Sequence, residues 1–404
     1  MKGKILVEEL IINENEEKRT IALMQNTKLV ELYEEEKEKR PLDGNIYCGI
    51  VRNILPGMQS AFVDIGERKN AFLHIKDIIP KVSDETGNKC EKMEKYNIND
   101  YIKPKMPILV QVKKEEEHQK GAKISININL PGRYVIIMPN TNFVTVSQKI
   151  NDKVEAERLK KIISSILERD KITNFGIIIR TCAEGASEEE LENDLSKLLI
   201  LWSKIIEQYE ECKNIGAPIK IYEAANTTQK LIIGTAKNKG YKIKVNNEKL
   251  LQEVDEILRG LNIENVKLEK IESGLLDLYD LQDQIENSKE RKIWLKSGGF
   301  ITIDRTEALT AIDVNSGKFI GKKTNTKDDT IFDVNKEATI EIAKQLRVKN
   351  ISGIIVIDYI DMEKQKERDG IIKLLEGELK KDRSKTQVMG FTKLDLLEMT
   401  RKKI

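Results

Sequence analysis

Two strand-like segments that flank a helix constrain the C-terminal part of the chain more than any other feature. EALTAIDVNSGK (307–318) alternates polar and apolar residues, and SGIIVIDYIDM (352–362) is almost continuously apolar. A helical segment covers roughly 335–349 between them. A strand–helix–strand order predicts a parallel strand pair joined by a crossover helix. Reactive groups gather at the carboxyl ends of the strands in such sheets.

Each of these strands carries an aspartate near its end. Strand alternation puts Asp313 and Asn315 on one face and Ile312 and Val314 on the other, while Asp358 ends the second apolar run. Two carboxylates that converge at neighbouring strand ends form a hard oxygen site, which suits Mg²⁺ or Mn²⁺ and does not suit zinc. Strand-end caps or salt-bridge partners would give the same pattern, so the residues alone leave both interpretations open.

Further acids lie near this pair. For Asp304, Glu307 and Asp361 a structural role is the better interpretation, because charged residues close to strand ends are usually solvated or ion-paired.

Composition limits the remaining possibilities. The chain has 69 Lys and Arg against 67 Asp and Glu, a net charge of +2, so any nucleic-acid site must be local. Its cysteines are scattered without a CxxC pair, which favours reduced thiols over disulfides or a zinc site. They are Cys48, Cys90, Cys182 and Cys212. Without a signal-peptide core or an apolar run of about 18 residues, a soluble, cytoplasmic protein with no membrane segment is expected.

Length and pattern predict a multidomain chain of mixed α/β and α+β class. A chain of 404 residues exceeds one ordinary core. Three short β-like runs before residue 37 are too few to close a core, and the strands and helices between 217 and 288 are their natural partner. Five short strands between Gly44 and Leu130 predict a small OB-type barrel, interrupted by a lysine-rich solvated loop at 81–105.

A smaller α/β region follows the barrel. A helix is predicted over 154–167, then the strand FGIIIRT (175–181), then a helix opened by the capping box Ser187-x-x-Glu190. Arg180 and Thr181 close that strand just before a Gly-containing turn. An arginine fork, a hydroxyl and main-chain N–H groups can bind a terminal phosphate, although a surface salt bridge is the commoner role for such a pair.

Aromatic residues are scarce, at 5% of the chain, and two of them occupy barrel strands. OB barrels bind single strands by stacking bases on exposed aromatic rings, so Phe62 and Phe72 are candidates. A core position is the commoner explanation for a lone Phe in a strand, and both alternatives stay open.

The motifs together resemble one known family. RTEALTAIDVNSGK, SGIIVIDYIDM and the ending LDLLEMTRKK are similar to the signature segments of the ribonuclease E/G family. The resemblance implies that Asp313 and Asp358 bind a catalytic Mg²⁺ (or Mn²⁺) and that Asn315 orients the site. It implies an endoribonuclease that hydrolyses single-stranded RNA through metal-activated water, is stimulated by a 5′-monophosphate, and acts in rRNA and tRNA processing and mRNA decay. A non-catalytic RNA-binding factor with structural acids is the alternative, and a DNA-directed nuclease is disfavoured by the resemblance alone.

The resemblance also implies a domain arrangement. The segment GNIYCGIVRNILPGMQSAFVDIGERKNAFLHIKDI (44–78) is similar to the family's S1-like OB-fold and nearest in wording to the G branch of the family. The expected domains are an RNase H-like domain (1–38 and 218–288), an S1-like OB-fold (39–131), a 5′-monophosphate sensor (132–217) and a DNase I-like catalytic domain (289–404).

RNA contacts are carried over residue by residue. Phe62 and Phe72 would contact bases, and Lys120 in QKGAK would contact a phosphate or base. The 5′-monophosphate would be bound by Arg180 and Thr181.

Three further positions complete the expected sensor. Main-chain atoms at Gly132 and Ile136 would assist Arg180. The family's further sensor arginine aligns with Lys385, which keeps the charge without the planar fork, and Arg383 two residues away is the alternative.

One family feature is not matched. Members commonly continue past LLEMTRKK into a CPxC-type zinc link that supports dimers and tetramers, and none of the four cysteines here has that arrangement. A zinc-linked dimer is therefore not expected of this chain, whereas another homo-oligomer stays open.

Overall fold

The computed structural model describes residues 8–37, 41–79, 96–115, 121–150, 152–235, 241–317 and 327–402. The chain divides into two compact units. Unit one contains the N-terminal strands and everything from Gly234 onward, and unit two contains residues 40–233. No helix in these described ranges is both long and apolar enough to span a bilayer.

Strands and helices are numbered in chain order. The strands are β1 (Glu8–Glu14), β2 (Lys18–Gln25), β3 (Lys28–Glu36), β4 (Ile46–Leu55), β5 (Ser60–Asp64), β6 (Ala71–His74), β7 (Pro107–Lys114), β8 (Lys123–Ser125), β9 (Leu130–Pro131), β10 (Val135–Pro139), β11 (Phe143–Val146), β12 (Phe175–Ile179), β13 (Ile219–Tyr222), β14 (Lys242–Val245), β15 (Lys267–Lys270), β16 (Lys292–Trp294), β17 (Phe300–Arg305), β18 (Leu309–Asn315), β19 (Gly353–Asp358), β20 (Thr386–Phe391) and β21 (Leu396–Arg401). The helices are α1 (Lys153–Arg169), α2 (Glu188–Cys212), α3 (Thr227–Thr235), α4 (Glu248–Gly260), α5 (Leu281–Asn287), α6 (Lys327–Val348) and α7 (Gln365–Leu379).

The N-terminal strands obtain their sheet from a distant part of the chain. The order is β15-β14-β1-β2-β3, and β1 pairs in parallel with β14 and antiparallel with β2. Ile11, Met24 and Leu29 pack against Leu281 and Ile285 of α5, so the three strands gain the core that they cannot form alone.

The strands of 46–125 close into a barrel. β4 pairs with β5, β5 with β6, β6 with β8, β8 with β7, and β7 returns to β4. A five-stranded closed barrel of this kind is consistent with an OB-like fold. The predicted solvated loop is only partly right: 80–95 lies outside the described residues, but Ile98 and Ile102 are buried in the barrel core because a short 3₁₀ turn aims them inward.

One strand pairs differently from the sequence-based expectation. The expected RNase H-like domain comprises 1–38 and 218–288, and β13, which lies within its second segment, is hydrogen bonded to β4. β5 pairs only with Ile50–Leu55, which leaves the backbone groups of 46–48 without a partner on that edge. β13 satisfies these groups, and an exposed strand edge is stabilised in this way.

A small sheet and two helices complete unit two. The order is β11-β12-β10-β9, with α1 and α2 packed on it through buried leucines and isoleucines. The capping box predicted at Ser187 and Glu190 is present: the Ser187 side chain accepts from the Glu190 N–H, and the Glu190 carboxylate accepts from the Ser187 N–H.

The C-terminal sheet has the order β16-β17-β18-β19-β21-β20. β18 and β19 are parallel with α6 as the crossover, as the sequence predicts. α6 begins at Lys327 rather than near 335, because Ile331, Phe332 and Val334 extend its apolar stripe behind polar first residues. α6 and α7 cover one face of the sheet. We call the opposite side, which carries Trp294, Phe300, Asp313, Asn315 and Asp358, the open face.

Candidate metal and RNA-binding sites

Asp313 and Asp358 lie directly opposite each other on adjacent parallel strands. Ile312 and Ile357, one residue earlier on each strand, are buried beneath the sheet. Side chains alternate between faces, so both carboxylates project from the open face, on strands about 4.8 Å apart. Although β19 is almost continuously apolar, it is not buried on both faces, because Ile354 is 53% exposed and Asp358 itself is exposed.

The electrostatics of the pair suit a cation. Asn315, two residues after Asp313 on the same face, donates from Nδ2 to Asp313 Oδ2 at 2.5 Å. Partial burial, followed by the negative charges of Asp313 and Asp361, raises the pKa of Asp358 above its ordinary value. Like-charge repulsion of this kind is relieved by a bound cation. Asn315 fixes the orientation of one of the two carboxylates.

The donor set fits Mg²⁺ better than zinc. Within the described ranges, no group of three or more His, Cys, Asp or Glu side chains is arranged to hold a metal ion. Mg²⁺ is commonly held by one or two carboxylates together with waters and phosphate oxygens, whereas structural zinc needs four protein ligands. The chemistry of Asp313 and Asp358 therefore fits Mg²⁺ better than zinc.

The neighbouring acids have other roles. Asp304 accepts two hydrogen bonds from the guanidinium of Arg291, which lowers the pKa of Asp304. Glu307 is exposed in the turn between β17 and β18, at the opposite end of β18 from Asp313. The negative charge of Asp361 contributes to the raised pKa of Asp358.

Phe62 and Phe72 face each other on the outside of the barrel. They are directly opposite on β5 and β6, with ring centroids 6.1 Å apart at 66°. Their neighbours Ala61 and Leu73 fill the barrel core, so alternation turns both phenyl rings away from it, and both are half-buried. This placement decides against the core interpretation. Lys120 lies outside the described residues.

Arg180 and Gly132 meet at one end of the small sheet. The Arg180 guanidinium donates to the Gly132 carbonyl oxygen, and the Arg180 main-chain N–H donates to the Tyr134 carbonyl at 2.8 Å. Thr181 starts the 3₁₀ turn that follows. Ile136 lies further along β10, opposite residue 178. Of the four sensor positions predicted in unit two, Arg180, Thr181 and Gly132 are thus close together.

Asp194 of α2, which is not among the predicted site residues, shapes this end of the sheet. Its carboxylate accepts from the main-chain N–H groups of Arg133, Tyr134 and Val135 at 2.7–3.0 Å. A Cβ on Gly132 would lie 2.6 Å from this carboxylate, so only glycine fits there. The partners are about sixty residues apart, and no local pattern signals them.

The last sensor position lies in unit one. Lys385 is exposed immediately before β20. Arg383, the alternative, donates from Nε to Glu31 Oε1 at 3.1 Å, and its side chain is largely buried. This ion pair disfavours Arg383 as the substitute, so Lys385 stays the prediction.

Comparison with known proteins agrees with these motifs. A parallel strand pair with in-register carboxylates occurs in one chain with an OB-like barrel, a combination typical of enzymes that act on nucleic acids. The model of the family described as "Ribonuclease E/G family" matches residues 129–404, and the chain belongs to that family.

Relatives match almost the entire chain. Ribonuclease G of Salmonella typhimurium is 38% identical over 401 residues, covering 98% of this chain and 80% of the relative. Ribonuclease G of Haemophilus influenzae is 38% identical over 399 residues, covering 98% and 79%. Ribonuclease E of a Nostoc species is 34% identical over 370 residues, covering 89% of this chain and 51% of the relative.

Proposed function

We propose that the chain is a Mg²⁺-dependent endoribonuclease that hydrolyses single-stranded RNA at Asp313 and Asp358. The observation that carries this proposal is the direct pairing of the two aspartates on adjacent parallel strands, with Asn315 bound to one of them. Relatives that match nearly all of the chain are named ribonucleases G, which supports RNA as the substrate.

The proposed chemistry follows from the open face. Asp313 and Asp358 would hold Mg²⁺, with Mn²⁺ as an alternative, and the hydrogen bond from Asn315 fixes the orientation of the Asp313 carboxylate. When bound, such an ion polarises a phosphoryl oxygen and lowers the pKa of water for attack. Both aspartates are exposed, so a phosphodiester has direct access from the solvent side.

Cleavage assays test the proposal directly. The purified chain should cut a 5′-monophosphorylated oligoribonucleotide internally with Mg²⁺ or Mn²⁺ and stop when EDTA is added. The matched DNA strand should resist cleavage. If RNA binds but stays intact under all metal conditions, the chain is the non-catalytic RNA-binding factor. Roles in rRNA and tRNA processing and mRNA decay, and a cytoplasmic location, remain predictions.

The outward Phe pair is proposed to capture RNA bases. Base stacking on an aromatic side chain contributes about 1–3 kcal/mol per base. Phe62→Ala and Phe72→Ala should each weaken the binding of a single-stranded oligoribonucleotide roughly 5- to 100-fold, measured by fluorescence anisotropy without divalent metal. Phe62→Tyr should bind nearly as well as the parent. Unchanged affinity in both alanine variants would contradict the stacking role. The predicted contact of Lys120 with a phosphate or base is tested separately, by a variant of Lys120.

The Arg180 turn is proposed to sense a 5′-monophosphate, with Thr181, Gly132 and Ile136 as further contacts in unit two. Lys385, in unit one, is a separate prediction that rests on the family resemblance. Charge-assisted hydrogen bonds contribute about 1.5–3 kcal/mol, so Arg180→Gln should slow cleavage of monophosphorylated RNA by roughly tenfold or more.

The 5′-hydroxyl form of the same RNA provides the internal comparison. Its cleavage should stay nearly unchanged in Arg180→Gln. Arg169→Gln, which alters an exposed arginine paired with Asp170 and Glu192 in the same unit, should affect neither substrate. Equal losses on both substrates in Arg180→Gln would remove Arg180 from sensing.

A further inference from the structure

An exposed aromatic cluster shares the open face with the two aspartates. Trp294 of β16 is 65% exposed. Its ring lies 5.3 Å from that of Phe300 on β17, at 62°. The Lys292 ammonium sits 4.1 Å from the Trp294 ring centroid and 3.7 Å from that of Phe300. We call Lys292, Trp294 and Phe300 the aromatic platform.

The strand register determines the distance between the aromatic platform and the two carboxylates. Trp294 lies opposite Phe300, and Phe300 lies opposite Asn315. Directly paired residues project from the same face of a sheet. Asp313 lies two residues before Asn315 on that face. Two strand spacings of about 4.8 Å and a two-residue rise of about 6.7 Å place Trp294 about 12 Å from Asp313 between Cα atoms.

The exposure of Trp294 has no explanation in the packing of the sheet. The core of this unit lies on the opposite face, where Ile301 and Ile303 of β17 are buried against the helices. Tryptophan is usually well buried, because its ring loses much apolar surface to the core. Here a cation and a second ring order the indole while leaving most of it in solvent.

We propose that the aromatic platform stacks an unpaired base of the RNA, a few nucleotides from the bond cut at Asp313 and Asp358; this rests on the proposed function. A base stacks on the Trp294 ring, and the Lys292 charge favours the adjoining phosphate. The platform lies on the same face as the two aspartates, and Lys292 gives it a positive charge. A stable protein interface buries roughly 800 Å² and about 20–30 residues on each side, whereas the platform consists of three side chains.

Tryptophan fluorescence gives a direct readout of stacking. The chain has two tryptophans, and Trp202 lies on α2 in unit two. In a Trp202→Phe background, Trp294 is the sole tryptophan. Titrating a single-stranded oligoribonucleotide in EDTA, which prevents cleavage, should quench this fluorescence saturably. Binding that is detected by anisotropy but leaves the Trp294 emission unchanged would overturn the platform.

Cleavage kinetics locate the stacked base. Trp294→Ala should raise KM roughly 5- to 100-fold with little change in kcat, and Trp294→Tyr should restore most of the loss. Oligoribonucleotides that carry a single abasic site at successive positions should identify the stacked base. At one position the abasic site should raise the KM of the parent by the same factor and should not raise the KM of Trp294→Ala any further. Met389→Ala, at a side chain 62% exposed on β20 of the same sheet, is the matched control and should behave as the parent.

Other outcomes identify other roles. Equal penalties for Trp294→Ala at every abasic position, with no rescue by tyrosine, would make the residue structural. A change in molar mass by light scattering in Trp294→Ala would assign the platform to contact between copies of the chain. Failure of the parent to cut any RNA defeats the proposed function, while the fluorescence titration still tests stacking.

Discussion

Asp313→Asn and Asp358→Asn are each expected to lower kcat for RNA hydrolysis about a thousandfold or more. A bound Mg²⁺ supplies several kcal/mol of transition-state stabilisation, and about 4 kcal/mol corresponds to that factor. An amide lacks the negative charge needed to hold the ion. Because the change removes catalysis and not the RNA surface, oligoribonucleotide affinity in EDTA should stay within about twofold of the parent.

The Asp358→Asn variant should keep or gain thermal stability although it loses activity. The raised pKa of Asp358 means that its ionised form is disfavoured in the folded chain, through burial and the charges of Asp313 and Asp361. At neutral pH this carboxylate therefore destabilises the metal-free fold, and Asp358→Asn should leave the thermal midpoint equal or higher. Loss of activity together with a lower midpoint would mean that the substitution damaged the sheet.

A matched acid separates the site from a general charge effect. Glu307→Gln removes one negative charge at the far end of β18, in an exposed turn, and should cut RNA as fast as the parent. If Asp313→Asn and Asp358→Asn also cut at the parent's rate, the metal assignment is wrong and the acids are structural.

The sequence predicts the carboxylate strands well because their signals are local. Alternation around Ile312 and Val314 places Asp313 and Asn315 on one face, and the intervening helix predicts the parallel pairing to β19. The direct pairing of Asp313 with Asp358 depends on register, which is set by packing across the whole sheet and cannot be read from either segment alone.

Features that depend on residues far apart in the sequence cannot be predicted from local patterns. Asp194 binds main-chain groups about sixty residues away, and β13 joins β4 across a still longer separation. Trp294 and Phe300 look like ordinary strand residues until the register places them beside Asn315. The outward direction of Phe62 and Phe72 likewise depends on which face of the strands the barrel closes over, whereas their contact with bases stays a prediction.

Removing one partner of the ion pair between Arg401 and Asp382 is expected to destabilise the C-terminal sheet strongly. Both side chains are only 1% exposed, and Arg401 Nε donates to Asp382 Oδ2 at 2.7 Å. Arg401 also donates to the Ile351 carbonyl oxygen at 2.8 Å, just before β19. Removing one partner of a buried pair leaves the other charge uncompensated, which costs about 3–5 kcal/mol.

Arg401→Met should therefore lower the free energy of unfolding in urea by about 3–5 kcal/mol, with a thermal midpoint reduced by on the order of 10 °C. The double change Arg401→Met with Asp382→Leu should recover much of this loss, because no isolated charge remains buried. Arg259→Met breaks an exposed pair with Asp255 and should cost less than about 1 kcal/mol. A loss in Arg401→Met no larger than that of Arg259→Met would contradict the assignment.

Because β21 pairs with β19 along its length, the loosened sheet in Arg401→Met should also displace Asp358. RNA cleavage should therefore fall before global unfolding as the temperature rises.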